Sequence, residues 1–167
     1  ARVAANESNA IATLRSFVKA QLEFQSGAWM DEDSDGTGEY GSLGELTGNS
    51  HQRNGIGARR VSNPPLLVAS AFETIDSRFF ISNSGYLFVV YLPNEDGEVI
   101  PDIPGGGPHP RLDPDACELR WCAYSWPVDP GHGNRAFFVN QRGEILQTKM
   151  EARQYNGAHK PPPYSAA

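Results

Sequence analysis

The sequence has little sulfur, no excess of basic charge and no long apolar run. Only two cysteines and two methionines occur among its 167 residues, and 14 Lys and Arg stand against 20 Asp and Glu. Binding to nucleic acid needs basic side chains that neutralise phosphates, so this charge balance argues against nucleic acid as a partner. No uninterrupted stretch of about 18 apolar residues is present, so no transmembrane helix is predicted within the sequence.

Motifs of the common catalytic classes are also missing. The sequence contains neither the G-x-S-x-G nucleophile motif nor a glycine-rich phosphate loop. Its four histidines are scattered and form no ligand-spaced pair. A zinc site made of Cys117, Cys122, His109 and His132 is conceivable, but Cys-x4-Cys is poor spacing for zinc. We therefore predict no catalytic residues and no enzyme activity.

The strongest pattern that is present lies in residues 1–28. This stretch has no proline, its first glycine is Gly27, and strong helix formers fill its middle. Apolar side chains recur every three to four residues, which predicts one long helix with a single apolar face. These apolar positions are Ala10, Ile11, Leu14, Phe17, Val18, Leu22 and Phe24. Such a face needs a cover, since isolated helices are marginal in water.

Short strands in residues 78–150 offer that cover. Residues 86–92 are apolar on both alternating faces, which predicts a central strand covered on both sides. Two further strand-like runs flank the turn from Asn140 to Gly143, a hairpin signal. With 17 glycines and 13 prolines, the rest of the chain should be loop-rich. We predict an α+β fold in a single domain, residues 1–154, in which the helix packs on a small antiparallel sheet of three to four strands. Residues 155–167 should form an extended or disordered tail.

An acidic segment, residues 31–48, follows the helix and contains the clearest candidate for a binding site. Aspartates alternate with other residues, a glycine follows at once, and two further oxygen-bearing side chains come next. This resembles the front half of a D-x-D-x-D-G calcium loop, in which hard oxygen ligands converge on a hard cation. The twelfth position is Ser42 rather than glutamate, so an EF-hand is not expected. Two interpretations stay open: a looser Ca²⁺ loop, or a solvated turn. The candidate ligands are Asp31, Asp33, Asp35, Thr37 and Glu39.

The two cysteines, Cys117 and Cys122, lie five positions apart. A local disulfide between them is the favoured prediction and would fit an extracytoplasmic protein. Two free thiols are the alternative.

Four parts of the sequence together carry a family resemblance. They are residues 1–16 (ARVAANESNAIATLRS), the run Ser84 to Phe88, residues 124–127 with the hairpin of residues 133–145, and the acidic residues 33–41. In combination they resemble type IV pilins and type II secretion pseudopilins. Residues 1–16 are similar to the part of the pilin spine helix that follows its apolar N-terminal half, and the run Ser84 to Phe88 resembles the motif that opens the pilin-like sheet. The later segments resemble the strands that follow it, and the acidic residues resemble a recurrent feature of these relatives.

The resemblance implies a structural subunit that assembles into an extracytoplasmic filament by self-association or with other pilin-like subunits. It also implies that the parent protein is anchored in a membrane before assembly, through an apolar segment that this chain does not contain. A non-polymerising, pilin-like accessory or binding subunit of a larger membrane or extracellular complex is the alternative.

Overall fold

The computed structural model describes residues 1–48, 53, 73–75, 80–148, 155, 157 and 162. In this part of the chain three helices and seven strands follow one another. They are α1 (Arg2–Ser26), α2 (Leu43–Thr47), β1 (Glu73–Ile75), β2 (Phe80–Asn83), β3 (Tyr86–Pro93), β4 (Val99–Ile100), α3 (Pro114–Leu119), β5 (Cys122–Pro127), β6 (Phe137–Asn140) and β7 (Leu146–Gln147). The predicted α+β class is confirmed.

The long helix forms where the sequence predicts it and is capped by Gly27. Its buried side chains recur every three to four residues and face the sheet, with Leu14, Phe17 and Phe24 fully buried. Phe17 packs on Phe88 of β3, with ring centroids 5.7 Å apart. The first turn of α1 lies outside this contact with the sheet, because residues 1–5 contribute no buried side chain. None of the described helices is both long and apolar enough to cross a membrane.

The sheet is antiparallel throughout, with the strand order β1-β2-β3-β5-β6-β7 and β4 paired to the far end of β3. It holds more strands than the three to four predicted, because β1, β4 and β7 have only two or three residues each. Runs this short show no alternation for a sequence pattern to detect. The predicted hairpin is confirmed by the pairing of β6 with β7.

The central strand β3 is covered on both faces, as its sequence predicts. Its even-numbered residues 86–92 join the core beneath α1, whereas Leu87 and Val89 join a second cluster on the opposite face. That second cluster includes Trp126 of β5, whose ring meets Phe80 edge-on at 4.8 Å. The sheet is therefore the middle layer of the fold.

Three residues of the predicted tail lie within the described part of the chain, and they lie against the body of the protein. The Gly157 N–H donates to the carbonyl of Pro127 at 2.8 Å, and the Trp126 Nε1–H donates to the Gly157 carbonyl at 2.9 Å. Tyr155 packs against the second cluster, and Pro162 is buried. At these positions the chain beyond residue 154 is docked on the body of the protein, and Gly157 lies in a turn with a left-handed φ of 64°. The remaining tail residues lie outside the described residues.

The favoured disulfide prediction is contradicted, since Cys117 and Cys122 are free thiols. The physical reason is their placement. Cys117 lies in α3 and is buried in the core beneath α1, whereas Cys122 begins β5 and packs against the cluster on the opposite face of the sheet. The Cys117 thiol lies 3.5 Å from the Pro93 carbonyl, to which it donates. The two cysteines, five positions apart in the sequence, therefore lie on opposite faces of the sheet and do not close a disulfide-bonded loop.

Protein purified without a reductant should show two titratable thiols per chain once it is denatured. In the native state both should react slowly with iodoacetamide, because burial raises the pKa of each thiol to about 12 and the thiolate is the nucleophile. Intact mass after alkylation in denaturant measures this. A gain of two hydrogens on reduction, with no prior alkylation, would instead demonstrate a disulfide.

Candidate functional site

The acidic loop, residues 31–39, is held directly against the end of α1. The Glu39 N–H donates to the Met30 carbonyl at 3.0 Å, which closes the loop at its base. Gly38 permits this return, because a Cβ at that position would overlap the Gln25 carbonyl and the Ala28 backbone. Since Met30 is fully buried, the loop starts from a fixed point in the core. The candidate ligands are thus positioned by the helix that precedes them.

Within the loop, three aspartates each use one oxygen to hold the backbone. Asp33 Oδ1 accepts from the N–H of Asp35 at 3.2 Å, and Asp35 Oδ1 accepts from the N–H of Thr37 at 2.7 Å. Asp31 Oδ2 accepts from the N–H of Gly36 at 3.1 Å, and Gly36 takes a left-handed φ of 96°. These bonds are the turn geometry that aspartate and glycine favour, so they account for the sequence motif without a ligand.

The structure brings the carboxylates together in two groups. Asp31, Asp33 and Glu39 each offer an oxygen, and these oxygens lie within 4.8 Å of one another. A second group under the same limit contains Asp33, Asp35 and Glu118. Asp33 belongs to both groups, and Glu118 comes from α3 rather than from the loop. Thr37 contributes the backbone N–H named above. The conceivable zinc set of two cysteines and two histidines is not among the close groups in the described residues.

Glu39 is the deeply placed member of the first group, with an exposed fraction of 0%. Its Oε1 accepts from the Glu32 N–H at 2.7 Å, while its Oε2 is buried and has no hydrogen-bond partner. Asp31 Oδ1 and Glu118 Oε1 are also buried without a hydrogen-bond partner. Burial raises the pKa of Glu39 to about 7, against the opposing effects of the Glu32 N–H and the Arg53 guanidinium. Burial, and then the neighbouring Asp35, likewise raise the pKa of Glu118.

Behind the loop, the buried Arg53 compensates part of this negative charge. Arg53 pairs with Glu45 through Nε at 3.2 Å and Nη2 at 3.1 Å, and Nη2 also donates to the Tyr40 carbonyl at 2.6 Å. Its Nη1 lies 3.8 Å from Glu39 Oε2 and makes no hydrogen bond. Burial disfavours the charge on Arg53, but the carboxylates, Glu45 foremost, outweigh it and raise its pKa. The bidentate partner of Arg53 is therefore Glu45, not Glu39.

The short helix α2 fixes Glu45 in place. Ser42 and Glu45 form the capping box that their spacing indicates, each side chain bonding the backbone N–H of the other. Asp102 accepts from the N–H groups of Leu43 at 3.0 Å and Gly44 at 2.7 Å. Burial raises the pKa of Asp102 to about 6 against these hydrogen bonds. Residues 42–45, Arg53 and Asp102 come from three separate segments of the chain, and we call these buried polar residues the polar floor of the site.

The raised pKa of Glu39 predicts a pH dependence of stability in chelator. A folded-state pKa of about 7, against an ordinary value of 4.5, means that the native state holds this proton more tightly than the unfolded chain. The contribution of Glu39 is therefore present below about pH 4.5, and the free energy of unfolding falls as the pH rises toward 7. Between about pH 5 and pH 8, the free energy of unfolding measured in urea should fall by about 2 kcal/mol less for Glu39→Gln than for wild type.

Glu144→Gln is the control for this pH series, because it removes the same charge from an exposed side chain that does not belong to the loop. Its pH profile should match that of wild type. A Glu39→Gln profile that runs parallel to wild type over the whole range would show that Glu39 is ionised throughout.

Sequence reasoning found the loop residues but missed Glu118, Arg53, Glu45 and Asp102 as parts of the site. The Ser42–Glu45 spacing is typical of a capping box and explains Glu45 only as part of the cap of α2, and nothing local marks Arg53 or Asp102. For α3, the Asp113-Pro114 pair is a usable signal, because Asp113 caps the helix and proline suits its first turn. His109 and His132 lie outside both acidic groups, while the histidines at positions 51 and 159 lie outside the described residues.

Comparison of the chain with models of protein families, with curated proteins and with solved structures found no match in any of the three.

Proposed function

We propose that this chain is the head domain of a pilin-like structural subunit, which assembles with copies of itself or with related subunits into an extracytoplasmic filament. The observation that carries the proposal is the packing of one long N-terminal helix along a single face of an antiparallel sheet. This arrangement lets one element serve both the fold and an assembly, since the buried face of α1 holds the sheet and its other face stays exposed. Leu22, on that other face, is 52% exposed.

The beginning of α1 also supports this proposal. Ala1, Arg2, Ala4 and Ala5 are exposed and Val3 is half-buried, so the domain does not use these residues for its own core. In the proposed subunit this end of the helix would continue from an apolar segment that anchors the protein in the membrane before assembly. Identical subunits related by one repeated operation would then build a filament, with helices inside and sheets outside.

A second candidate is a non-polymerising accessory subunit of a larger membrane or extracellular complex. The concentration of carboxylates near the end of α1 favours it: Asp31 and Asp33 lie beside the buried Glu39, and Asp33 also lies beside Asp35 and Glu118. Equal patches of negative charge on identical subunits repel one another, so such a patch suits a basic partner better than a second copy.

Immuno-electron microscopy of the source organism tests both candidates. Antibody raised against the folded domain should label filaments in the material sheared from cells, and a strain that lacks the gene is the control. Labelling of discrete particles that contain other proteins would favour the accessory subunit. Label confined to the cytoplasm would contradict both candidates.

A further inference from the structure

We propose that Asp31, Asp33 and Glu39 form a binding site for one hard divalent cation, calcium, at the junction of α1 and the acidic loop. This inference does not depend on filament assembly, because it concerns the isolated domain. The three carboxylates offer oxygens within 4.8 Å of one another. Calcium binds oxygen ligands at about 2.3–2.6 Å, so ligands on opposite sides of the ion lie about 5 Å apart. The spacing of the group therefore suits a shared ion.

An acidic cluster alone would not carry this inference, because the aspartates also serve the turn. The second observation is that two of the three members hold a buried oxygen with no hydrogen-bond partner: Glu39 Oε2 and Asp31 Oδ1. Glu39 is fully buried, so water does not reach it from the surface. A buried acceptor without a partner is costly, and a bound cation would satisfy it.

Arg53 does not fill this role. Its Nη1 lies 3.8 Å from Glu39 Oε2, which is beyond hydrogen-bond distance, and its bidentate bonds go to Glu45. One guanidinium that is already paired leaves the three carboxylates of the group largely uncompensated. The donor set contains only oxygen, which selects calcium or magnesium over zinc. Asp33 is exposed, so water can complete the coordination on that side of the group, and such a mixed ligand set suits the irregular coordination of calcium better than the strict octahedron of magnesium.

The neighbouring group shares Asp33 and also has one buried oxygen without a partner, Glu118 Oε1, but it contains no fully buried side chain. Asp35 is exposed and Glu118 is only half-buried, whereas Glu39 of the first group is fully buried. We therefore place the ion with Asp31 and Glu39, and we assign Asp35 and Glu118 to the outer, hydrated side. This placement predicts that Asp31 contributes to ion binding and that Asp35, in the same loop, does not.

The experiment is calorimetric titration of the chelator-treated chain with CaCl2, paired with thermal unfolding. We expect one site per chain with a Kd between about 10 µM and 1 mM, and an increase in Tm of about 3–8 °C in 5 mM calcium. Magnesium should bind more weakly. An absence of both heat and Tm shift in the wild-type chain would overturn the proposal, and tighter binding of magnesium would overturn the assignment of calcium.

Two matched variants locate the ion. Asp31→Asn and Asp35→Asn remove the same charge from one loop, and both keep an oxygen that can accept the loop's backbone N–H. We expect Asp31→Asn to weaken calcium binding at least tenfold and Asp35→Asn to change it less than threefold. Asp115→Asn, an exposed acid in α3, is the charge control and should bind as wild type. Circular dichroism checks that each variant is folded. The reverse order of the two loop variants, or an equal loss in all three, would overturn the placement.

Discussion

Replacing Arg53 by methionine should lower the free energy of unfolding by about 3–5 kcal/mol. The side chain of Arg53 is 3% exposed, and that of its partner Glu45 is 0% exposed. Methionine fills a similar volume but leaves the Glu45 carboxylate buried without its bidentate partner and the Tyr40 carbonyl without a donor. Removing one member of a buried ion pair is costly for this reason, even though the intact pair adds little net stability.

Urea unfolding followed by tryptophan fluorescence measures this loss, and Arg111→Met is the matched control. Arg111 also pairs with two carboxylates, Glu95 at 3.8 Å and Asp96 at 2.6 Å, but its side chain is 54% exposed. Water screens that pair, so the control should lose at most about 1 kcal/mol. Similar small losses in both variants would show that Arg53 is hydrated and that the polar floor of the site is open to solvent.

The contrast between these two arginines also shows what the sequence could reveal. Neither has a pattern that distinguishes it, since each is a single basic residue in a loop-rich segment. Burial of Arg53 depends on Glu45, which α2 and its capping box hold in place, and on the loop that carries Glu39. These contacts join segments whose relative positions only the complete fold determines. Periodicity is a local property and carries no information about them.

Where local pattern decides the structure, the sequence was a sufficient guide. The period of α1, the two apolar faces of β3 and the hairpin of β6 and β7 each arise within one short stretch, and all are confirmed. The acidic loop is similar: its aspartates lie close because they are neighbours in the chain. Glu118 joins them from α3, about 80 positions away, and a spacing rule cannot find such a residue.

The disulfide prediction failed for a related physical reason. Spacing of five positions was read as proximity, but the chain passes from the end of α3 into β5 between Cys117 and Cys122. That passage carries the two side chains to opposite faces of the sheet. Closeness along a chain implies closeness of side chains only within one element whose geometry is known.

Replacing Phe17 by alanine should lower the free energy of unfolding by about 3–5 kcal/mol, because the change opens a cavity where α1 meets the sheet. Phe17 is fully buried, and its ring packs on that of Phe88 in the central strand. Leu22→Ala on the same helix is the control. Leu22 is 52% exposed, so its truncation should cost less than about 1 kcal/mol. Chemical denaturation followed by circular dichroism and by tryptophan fluorescence measures both variants.

The two signals also test whether α1 belongs to the cooperative unit. Circular dichroism at 222 nm follows the helix. Fluorescence follows Trp126 on the far face of the sheet once Trp29 and Trp121, which pack in the core beneath α1, are replaced by phenylalanine. If the helix and the sheet unfold together, both transitions should shift equally in Phe17→Ala and remain coincident. A helical signal that is lost first, with the fluorescence transition unmoved, would mean that the sheet is stable without its helix. Such a result would remove the packing on which the proposed subunit rests, because a helix that detaches easily could not fix its sheet on a filament.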